Sequence, residues 1–277
     1  MARELKLRIY SSVVMVAVVL AATWLGGTAF RLLSALISLL VYYEWSSMTG
    51  LRDSNFRANA WGWFSTGAIC ANLLFGSDDM AVPLLGGLVV TALVLKLVGR
   101  WSLWLAGGIL YAGLTAIAMA GIRGDDSVGF TAMLFVFATV WGTDILAYFV
   151  GRAIGGPKLA PRISPGKTWS GAAGGTVSGV LAGSGLALIF FPAVGLWIVL
   201  VAFLLSVSSQ IGDLFESFIK RRFGVKDSSH LIPGHGGVMD RVDGLVFACF
   251  SAFLLAAIHA ALTGRPVASL GGFLLGL

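Results

Sequence analysis

Residues 196–205 read L-W-I-V-L-V-A-F-L-L and lie in the middle of an apolar run that covers about residues 193–215. A second apolar run covers about residues 244–263, and the stretch between the two runs is polar and charged. An α-helix needs about 20 apolar residues to cross the roughly 30 Å hydrocarbon core of a bilayer, and both runs reach that length. The sequence therefore predicts two membrane-spanning helices joined by a charged loop.

The rest of the 277-residue chain has the same apolar character. Apolar residues make up 57% of it and charged residues 12%, and the mean hydropathy is +0.90, far from the values of soluble globular domains. Runs of spanning length occur at about residues 9–28, 30–49, 58–76, 80–98, 101–120, 128–150, 170–190, 193–215 and 244–263. These runs predict an all-α, polytopic integral membrane protein with about nine transmembrane helices.

The positions of the basic residues predict how the chain is oriented in the membrane. Lys and Arg resist translocation and therefore concentrate in cytoplasmic loops. If the N-terminus is cytoplasmic, only Arg31, Arg123 and Arg265 of the 19 basic residues fall on the outer side. We therefore expect a cytoplasmic N-terminus and, after nine spans, a C-terminus outside. The net charge of +6 is best explained by anionic lipid headgroups, since the basic residues lie at membrane boundaries and no nucleic-acid module is present.

The two parts of the chain differ in chemical content. Residues 1–127, with about five helices, contain few reactive groups and are interpreted as a transmembrane scaffold. Residues 128–277 contain two predicted cytoplasmic loops, 151–169 and 217–243, which are rich in Gly, Pro, Lys, Arg and His, and this part is interpreted as the catalytic region. In the seventh run, four glycines at four-residue spacing predict close helix packing, with an acyl-chain groove as the alternative; they are Gly171, Gly175, Gly179 and Gly183.

The end of the eighth run carries a cluster of ionisable side chains. On a continuous helix, positions i, i+3, i+4 and i+7 share one face, and here they are Asp213, Glu216, Ser217 and Lys220. Ionisable groups in a span are costly unless they face protein, water or an ion. A carboxylate that pairs with Lys220 only to neutralise charge is one interpretation. Asp240 and Asp243 follow after the loop, and they favour a second interpretation, a cation site. Carboxylates brought together repel each other unless a cation lies between them. Mg²⁺ is usually held by one or two carboxylates with water and phosphate oxygens.

Three further features are candidates for substrate contacts. The segment Pro233–Gly237 reads P-G-H-G-G, which predicts either an anion-binding nest of backbone N–H groups or a tight turn without a ligand. His235 within it is interpreted as a phosphate contact, a proton shuttle or a turn cap. Arg162 and Lys167 suit a phosphate or an anionic headgroup, and Asp144 is a functional candidate because it lies inside the sixth run.

The stretch from Ser217 to Asp243 resembles the signature of the phosphatidate cytidylyltransferase (CDP-diacylglycerol synthase) family, S-x-x-K-R-x4-K-D, a spacer, and P-G-H-G-G-x-x-D-R-x-D. The resemblance extends to Gly212–Ser217, Ala147–Arg152 and Lys158–Pro165. The family commonly has S-P-K-K-T-W-E-G where this chain has Gly166 and Ser170 in place of one Lys and the Glu. One phosphate-facing charge of the family pattern is therefore absent here.

The resemblance implies transfer of CMP from CTP to phosphatidate, which gives CDP-diacylglycerol and pyrophosphate for phospholipid biosynthesis, at the cytoplasmic face of a bacterial inner membrane. It implies Mg²⁺, with a second cation left open, and it suggests a homodimer. The expected catalytic residues are Asp213, Asp240, Lys220, Lys226, His235 and Asp243. The expected substrate-binding residues are Ser217, Arg221, Gly236, Gly237, Arg241, Lys167 and Arg162. The expected metal ligands are Asp213 and Asp240, with Asp144, Glu216 and Asp243 as further ligands or supporting partners.

Two other functions compete with this one. A CTP-dependent kinase of a polyprenol-type alcohol would share the membrane design but consume a different lipid. A transporter should show broken helices in corresponding positions of its two halves, whereas this chain concentrates its polar residues at one predicted face.

Overall fold

The computed structural model of the protein describes residues 2–99, 101–193 and 195–277. The helices are α1 (Ala2–Leu25), α2 (Gly27–Met48), α3 (Leu51–Ser54), α4 (Phe56–Phe75), α5 (Asp78–Leu97), α6 (Leu103–Arg123), α7 (Ser127–Ile154), α8 (Trp169–Phe190), α9 (Trp197–Arg222), α10 (Met239–Thr263) and α11 (Leu270–Leu275). Two short strands, β1 (Lys158–Ala160) and β2 (Ser164–Thr168), form an antiparallel hairpin in which Lys158 pairs with Thr168. Apart from this hairpin, the predicted all-α class is confirmed.

Long helices account for the predicted spans. In the described part of the chain, nine helices have 20 or more residues, and each overlaps one of the nine predicted runs. Seven helices of the described part are both long and apolar enough to cross a membrane. The remaining two long helices, α2 and α4, are not among these seven. The chain is thus a multi-pass membrane protein, whereas the number of nine spans stays a prediction.

The charged segments are more helical than the sequence suggested. Helix α9 continues through Lys220 to Arg222, and α10 begins at Met239, so that only residues 223–238 lie between these two helices. Similarly, α7 extends to Ile154 before the β-hairpin. The structure therefore gives narrower loops than the predicted ranges 151–169 and 217–243, and most of the charged side chains belong to helix ends.

The chain divides into two compact units. The first unit comprises Met1–Ala120 and Arg222–Arg241, and the second comprises Gly121–Arg221 and Val242–Leu277. The segment between α9 and α10 thus belongs to the first unit, together with α1 to α5. The functional division at residue 127 into scaffold and catalytic region stays a prediction, since compactness does not report on chemistry.

Helix α2 lies in the core of the first unit. Its Trp45 stacks on Tyr111 with ring centroids 5.6 Å apart and donates an indole N–H to the carbonyl of Trp104 at 2.8 Å. Trp104 in turn meets Phe223 edge to face at 4.9 Å, at the start of the segment 223–238. Aromatic pairs in this arrangement add to the stability gained from burial alone. The same core therefore supports both the helices and the charged segment of the first unit.

Glycines allow α7 and α8 to pack closely in the second unit. A Cβ on Gly175 would lie 2.7 Å from the carbonyl oxygen of Thr143, and one on Gly179 would lie 2.7 Å from that of Thr139. Both separations are too short for a side chain, so only glycine permits this approach. The predicted helix packing is confirmed, and the face considered as an acyl-chain groove is covered by α7.

Candidate active site

Helix α9 carries the predicted row of ionisable side chains, here called the α9 cluster and defined as Asp213, Glu216, Ser217 and Lys220. The Ser217 hydroxyl donates to Asp213 Oδ1 at 3.4 Å, and Lys220 Nζ lies 3.1 Å from Glu216 Oε2. Glu216 and Lys220 are buried. A buried ion pair is costly to desolvate and seldom adds stability. The predicted shared helix face is confirmed, Lys220 pairs with a carboxylate as the charge-neutralising interpretation expects, and a chemical role for the cluster stays a prediction.

The β-hairpin brings a second cation to the α9 cluster. Lys167 on β2 forms an ion pair with Asp213 Oδ2. The next residue, Thr168, caps α8 by accepting the N–H of Gly171 at 3.1 Å, which fixes where the hairpin meets the helix. Arg162 is exposed in the turn between the strands. Lys167 therefore neutralises a predicted metal ligand, and a phosphate would compete with Asp213 for its ammonium group.

Helix α10 adds another carboxyl group to the cluster. Asp243 lies close to Glu216 and within electrostatic range of Asp213 and Lys167. The helices approach closely here, since a Cβ on Gly212 would lie only 2.6 Å from the carbonyl oxygen of Asp243. The second unit thus holds three neighbouring carboxyl groups whose charge must be balanced by Lys167, Lys220, a proton or a bound cation.

Asp240, in the first turn of α10, organises the segment before the helix. Its Oδ2 atom accepts the N–H of Ser228 at 2.9 Å, the hydroxyl of Ser228 at 2.8 Å and the N–H of Gly237 at 2.8 Å. Hydrogen bonds from neutral donors to a carboxylate are stronger than those between neutral groups. Asp240 is therefore held in one orientation by the segment it supports.

Backbone geometry explains the glycines of P-G-H-G-G. Gly234 and Gly236 have φ angles of +78° and +80°, a region that favours glycine. A Cβ on Gly237 would lie 2.0 Å from the Ser228 hydroxyl and 2.5 Å from Glu44 Oε1. The segment is thus a tight turn, which was one of its two predicted interpretations.

The backbone N–H groups of this turn are largely used inside the protein. The N–H of His235 donates to the carbonyl of Ile232 at 2.9 Å, and that of Gly237 donates to Asp240. The expectation that this segment offers successive N–H groups to an anion is therefore wrong for His235 and Gly237. The binding roles assigned to Gly236 and Gly237 stay predictions.

His235 is held by helix α1. Its Nδ1 lies 2.8 Å from the hydroxyl of Ser11, and its Nε2 lies 3.1 Å from that of Ser12. Burial, with Arg241 and Arg8 nearby, lowers the pKa of His235 below its ordinary value of 6.5. The ring is therefore neutral near pH 7, and each nitrogen has a hydroxyl partner. Sequence reasoning missed both serines, because no local pattern links residues that are more than 200 positions apart.

Glu44 is a second residue that sequence reasoning missed. It lies on α2 with a relative exposure of 0% and accepts hydrogen bonds from Ser228, Ser229, Val238 and Met239. The signal was present, since a carboxylate inside the apolar run 30–49 meets the same criterion that singled out Asp144.

The other predicted residues are at the surface of the chain. Arg221 on α9, Lys226 in the segment 223–238 and Arg241 on α10 are exposed. Asp144 is also exposed on α7, one turn before Tyr148, whose hydroxyl accepts from Arg152 at 2.9 Å. Exposed basic side chains are available for phosphate groups, so their predicted roles are compatible with their placement.

Comparison with known proteins gives a consistent result over most of the chain. The model of the cytidylyltransferase family matches residues 6–259. A phosphatidate cytidylyltransferase of Brucella abortus is 46% identical over 261 residues, which cover 93% of this chain and 95% of that protein. Proteins with the same name from Haemophilus influenzae and Pseudomonas aeruginosa are each 34% identical, over 88% and 91% of this chain and 96% and 98% of their own lengths.

Proposed function

Because the chain belongs to the cytidylyltransferase family, we propose that it is a phosphatidate cytidylyltransferase, which transfers CMP from CTP to phosphatidate. The observation that carries the proposal is the cluster of carboxyl and ammonium groups formed by α9, Lys167 and Asp243 at the ends of apolar helices. Such a cluster suits a reaction between a membrane lipid and a charged, water-soluble nucleotide. The names of the relatives, which match over nearly their whole length, support the same choice of substrates.

In the proposed reaction, a phosphate oxygen of phosphatidate attacks the α-phosphorus of CTP. A new P–O bond forms, the bond between the α-phosphorus and its bridging oxygen to the β-phosphorus breaks, and pyrophosphate leaves with the electron pair. The nucleophile is already an anion, so no strong base is required. The barrier comes mainly from repulsion between two anions and from charge that builds on the leaving group, and positioned cations lower both contributions.

The basic residues are proposed to bind the phosphate groups. Lys167 exchanges its partner Asp213 for a phosphate oxygen, and Lys220, held by Glu216, supplies a fixed positive charge beside it. The remaining cations and the hydroxyl proposed to contact substrate are Arg162, Ser217, Arg221, Lys226 and Arg241. His235 is neutral and bonded to two hydroxyl groups, and we propose that its one N–H exchanges a serine hydroxyl for a phosphate oxygen rather than that the ring acts as a base.

Mg²⁺ is the proposed cofactor, and the carboxyl groups suit it chemically. Among the residues that the structure describes, no three His, Cys, Asp or Glu side chains form a group that could hold a metal ion. Mg²⁺ needs only one or two carboxylates, because water and phosphate complete its shell. Asp213 is the proposed ligand in the second unit, with Glu216 and Asp243 beside it, and Asp240 and Asp144 remain ligand candidates from the sequence. When bound, Mg²⁺ would neutralise phosphate charge, and the number of cations is open.

The membrane setting follows from the substrates. The acyl tails of phosphatidate stay in the bilayer, while the headgroup meets CTP in water, so the reaction belongs at the cytoplasmic surface of the bacterial inner membrane. The distribution of basic residues supports a cytoplasmic N-terminus and a C-terminus outside. A homodimer is proposed by family resemblance.

The position of the label in CTP distinguishes this function from that of a lipid kinase. Purified protein in detergent is given Mg²⁺, phosphatidate or a polyprenol-type alcohol, and CTP labelled at either the α- or the γ-phosphate. We expect the α-label to enter the phosphatidate-derived lipid and the γ-label to leave as pyrophosphate, with both changes stopped by EDTA and restored by Mg²⁺. Transfer of the γ-label to the alcohol would instead identify a kinase.

A further inference from the structure

Glu44 connects the buried core of α2 with both ends of a short segment before α10. Its carboxylate accepts the hydroxyl of Ser229 at 2.6 Å and that of Ser228 at 3.1 Å, at the start of the segment. At the end of the segment, it accepts the N–H groups of Val238 at 2.8 Å and Met239 at 2.6 Å. We call residues 228–239 the clamped segment.

The four donors explain why a carboxylate is tolerated inside the protein. A buried carboxylate without partners is strongly destabilising, whereas one that accepts several hydrogen bonds is not. Two of the donors are N–H groups at the N-terminus of α10, where helix dipoles favour negative charge. All four contacts need an acceptor, so a side chain that also carries donors would not satisfy them.

Glu44 and Asp240 belong to one network. The hydroxyl of Ser228 lies within hydrogen-bond distance of both carboxylates, and Asp240 also accepts the N–H groups of Ser228 and Gly237. Gly237 lies against Glu44, whose Oε1 would be 2.5 Å from a Cβ at that position. The two acidic groups therefore fix the clamped segment from opposite sides, and the orientation of Asp240 depends on the residues that Glu44 holds.

We propose that Glu44 is a positioning residue for the reaction, acting by holding the clamped segment in the conformation that orients Asp240 and His235. This inference rests on the proposed function for its kinetic consequence. It assigns Glu44 no contact with substrate. Its effect is to keep the turn ordered before CTP binds, so that binding does not have to order it.

The central test is Glu44→Gln, which keeps the shape of the side chain but replaces one acceptor oxygen by an NH₂ donor. At least one of the four hydrogen bonds must then be lost. We expect the KM for CTP to rise on the order of tenfold, as for loss of one charge-assisted hydrogen bond, with the KM for phosphatidate unchanged. Backbone amide exchange, measured by mass spectrometry on the clamped segment, should become faster.

Ser38→Ala is the matched control, because Ser38 is also buried on α2 and donates to the carbonyl of Ala112 at 2.7 Å. It removes one buried hydrogen bond from the same helix without touching the clamped segment. We expect it to lower thermal stability while leaving the KM for CTP and the amide exchange of residues 228–239 unchanged.

Ser229→Ala provides a second, milder test if Glu44→Gln does not fold. It removes one donor and leaves the carboxylate with its other partners, so we expect a rise of about threefold in the KM for CTP and a smaller change in amide exchange. Combined with Glu44→Gln, its effect should be less than additive, since both changes disrupt the same bond.

The outcomes separate this inference from the proposed function. If wild-type protein does not use CTP and phosphatidate, the proposed function fails, and amide exchange still decides whether Glu44 holds the segment. If Glu44→Gln, or Ser229→Ala where the former does not fold, leaves both the KM for CTP and the amide exchange at wild-type values, the inference is overturned. A parallel rise in both KM values would also overturn it, because the effect would then not be specific to CTP.

Discussion

The α9 cluster and the clamped segment use carboxylates in different ways. In the α9 cluster, Asp213 and Glu216 pair with the ammonium groups of Lys167 and Lys220. Glu44 and Asp240 instead accept hydrogen bonds from N–H and O–H groups of the clamped segment. The ammonium group of Lys167, which is partly exposed, can exchange a carboxylate for a phosphate, whereas a carboxylate bonded to the backbone cannot leave without changing the fold. From this comparison we expect the cluster to perform chemistry and the segment to provide a fixed frame.

The largest expected effect is the loss of turnover in Asp213→Asn. The change removes a charge that is proposed to bind Mg²⁺, so we expect the kcat to fall by about a hundredfold or more while the protein stays folded. Initial rates with CTP and phosphatidate measure it. Asp78→Asn is the control, because it removes a carboxylate from an ion pair with Arg31 in which Asp78 is largely exposed.

Asp240→Asn should combine a loss of turnover with a loosened turn. Its Oδ2 accepts three hydrogen bonds from Ser228 and Gly237, so the amide substitution weakens or breaks some of them. We expect a large fall in kcat together with faster amide exchange in residues 228–239. If turnover is lost while the amide exchange of residues 228–239 stays at the wild-type rate, Asp240 contributes to the chemistry but does not order this segment.

Gly237→Ala tests how tightly the clamped segment is packed. The new Cβ would lie 2.0 Å from the Ser228 hydroxyl and 2.5 Å from Glu44 Oε1, so we expect a loss of about 1–3 kcal/mol of stability, detected as a lower Tm. Gly67→Ala is the matched control, because a Cβ there meets nothing within 4 Å. An unchanged Tm in Gly237→Ala would show that the turn can rearrange to accommodate the added methyl group.

The smallest expected effect is the pH dependence contributed by His235. Its folded pKa lies below 6.5, so the folded state prefers the neutral ring, and the unfolded chain binds more protons as the pH falls below 6.5. The contribution of His235 to stability is therefore complete above pH 6.5 and is lost as the pH falls through the lower, folded pKa. The groups that face the ring are Ser11, Ser12, Arg8 and Arg241.

Amide exchange of residues 228–239, corrected for the intrinsic effect of pH, measures this dependence. We expect exchange to accelerate between about pH 7 and pH 5 in the wild type and to be less dependent on pH in His235→Gln, which has no ring to protonate. Equal dependence in both proteins would rule out His235 as the group responsible.

The sequence was sufficient to predict which side chains share a helix face. It was insufficient to predict contacts between segments that are distant along the chain. Asp213, Glu216, Ser217 and Lys220 could be placed on one face because helical periodicity is local. The pairing of Lys167 with Asp213 depends on a β-hairpin that the apolar pattern of the sequence did not predict. The partners of His235 on α1 were equally beyond local patterns.

The sequence also failed to predict where helix α9 ends and which buried acid matters for the clamped segment. The predicted loop began at residue 217, whereas α9 continues to Arg222, because long basic side chains at a helix end can extend their charged groups into water. Glu44 was overlooked although, as a carboxylate inside an apolar run, it met the criterion that was applied to Asp144. Its importance depends on which donors surround it, and only the folded chain brings these together.

Turnover and amide exchange, measured together on Asp213→Asn, test the contrast between the two regions most directly. Asp213 pairs with Lys167 and accepts a hydrogen bond from Ser217, and neither residue belongs to the clamped segment. We predict that this variant loses CDP-diacylglycerol synthesis while residues 228–239 exchange at the wild-type rate. Full synthesis by the variant, or exchange as fast as in Asp240→Asn, would contradict the assignment of chemistry to one region and order to the other.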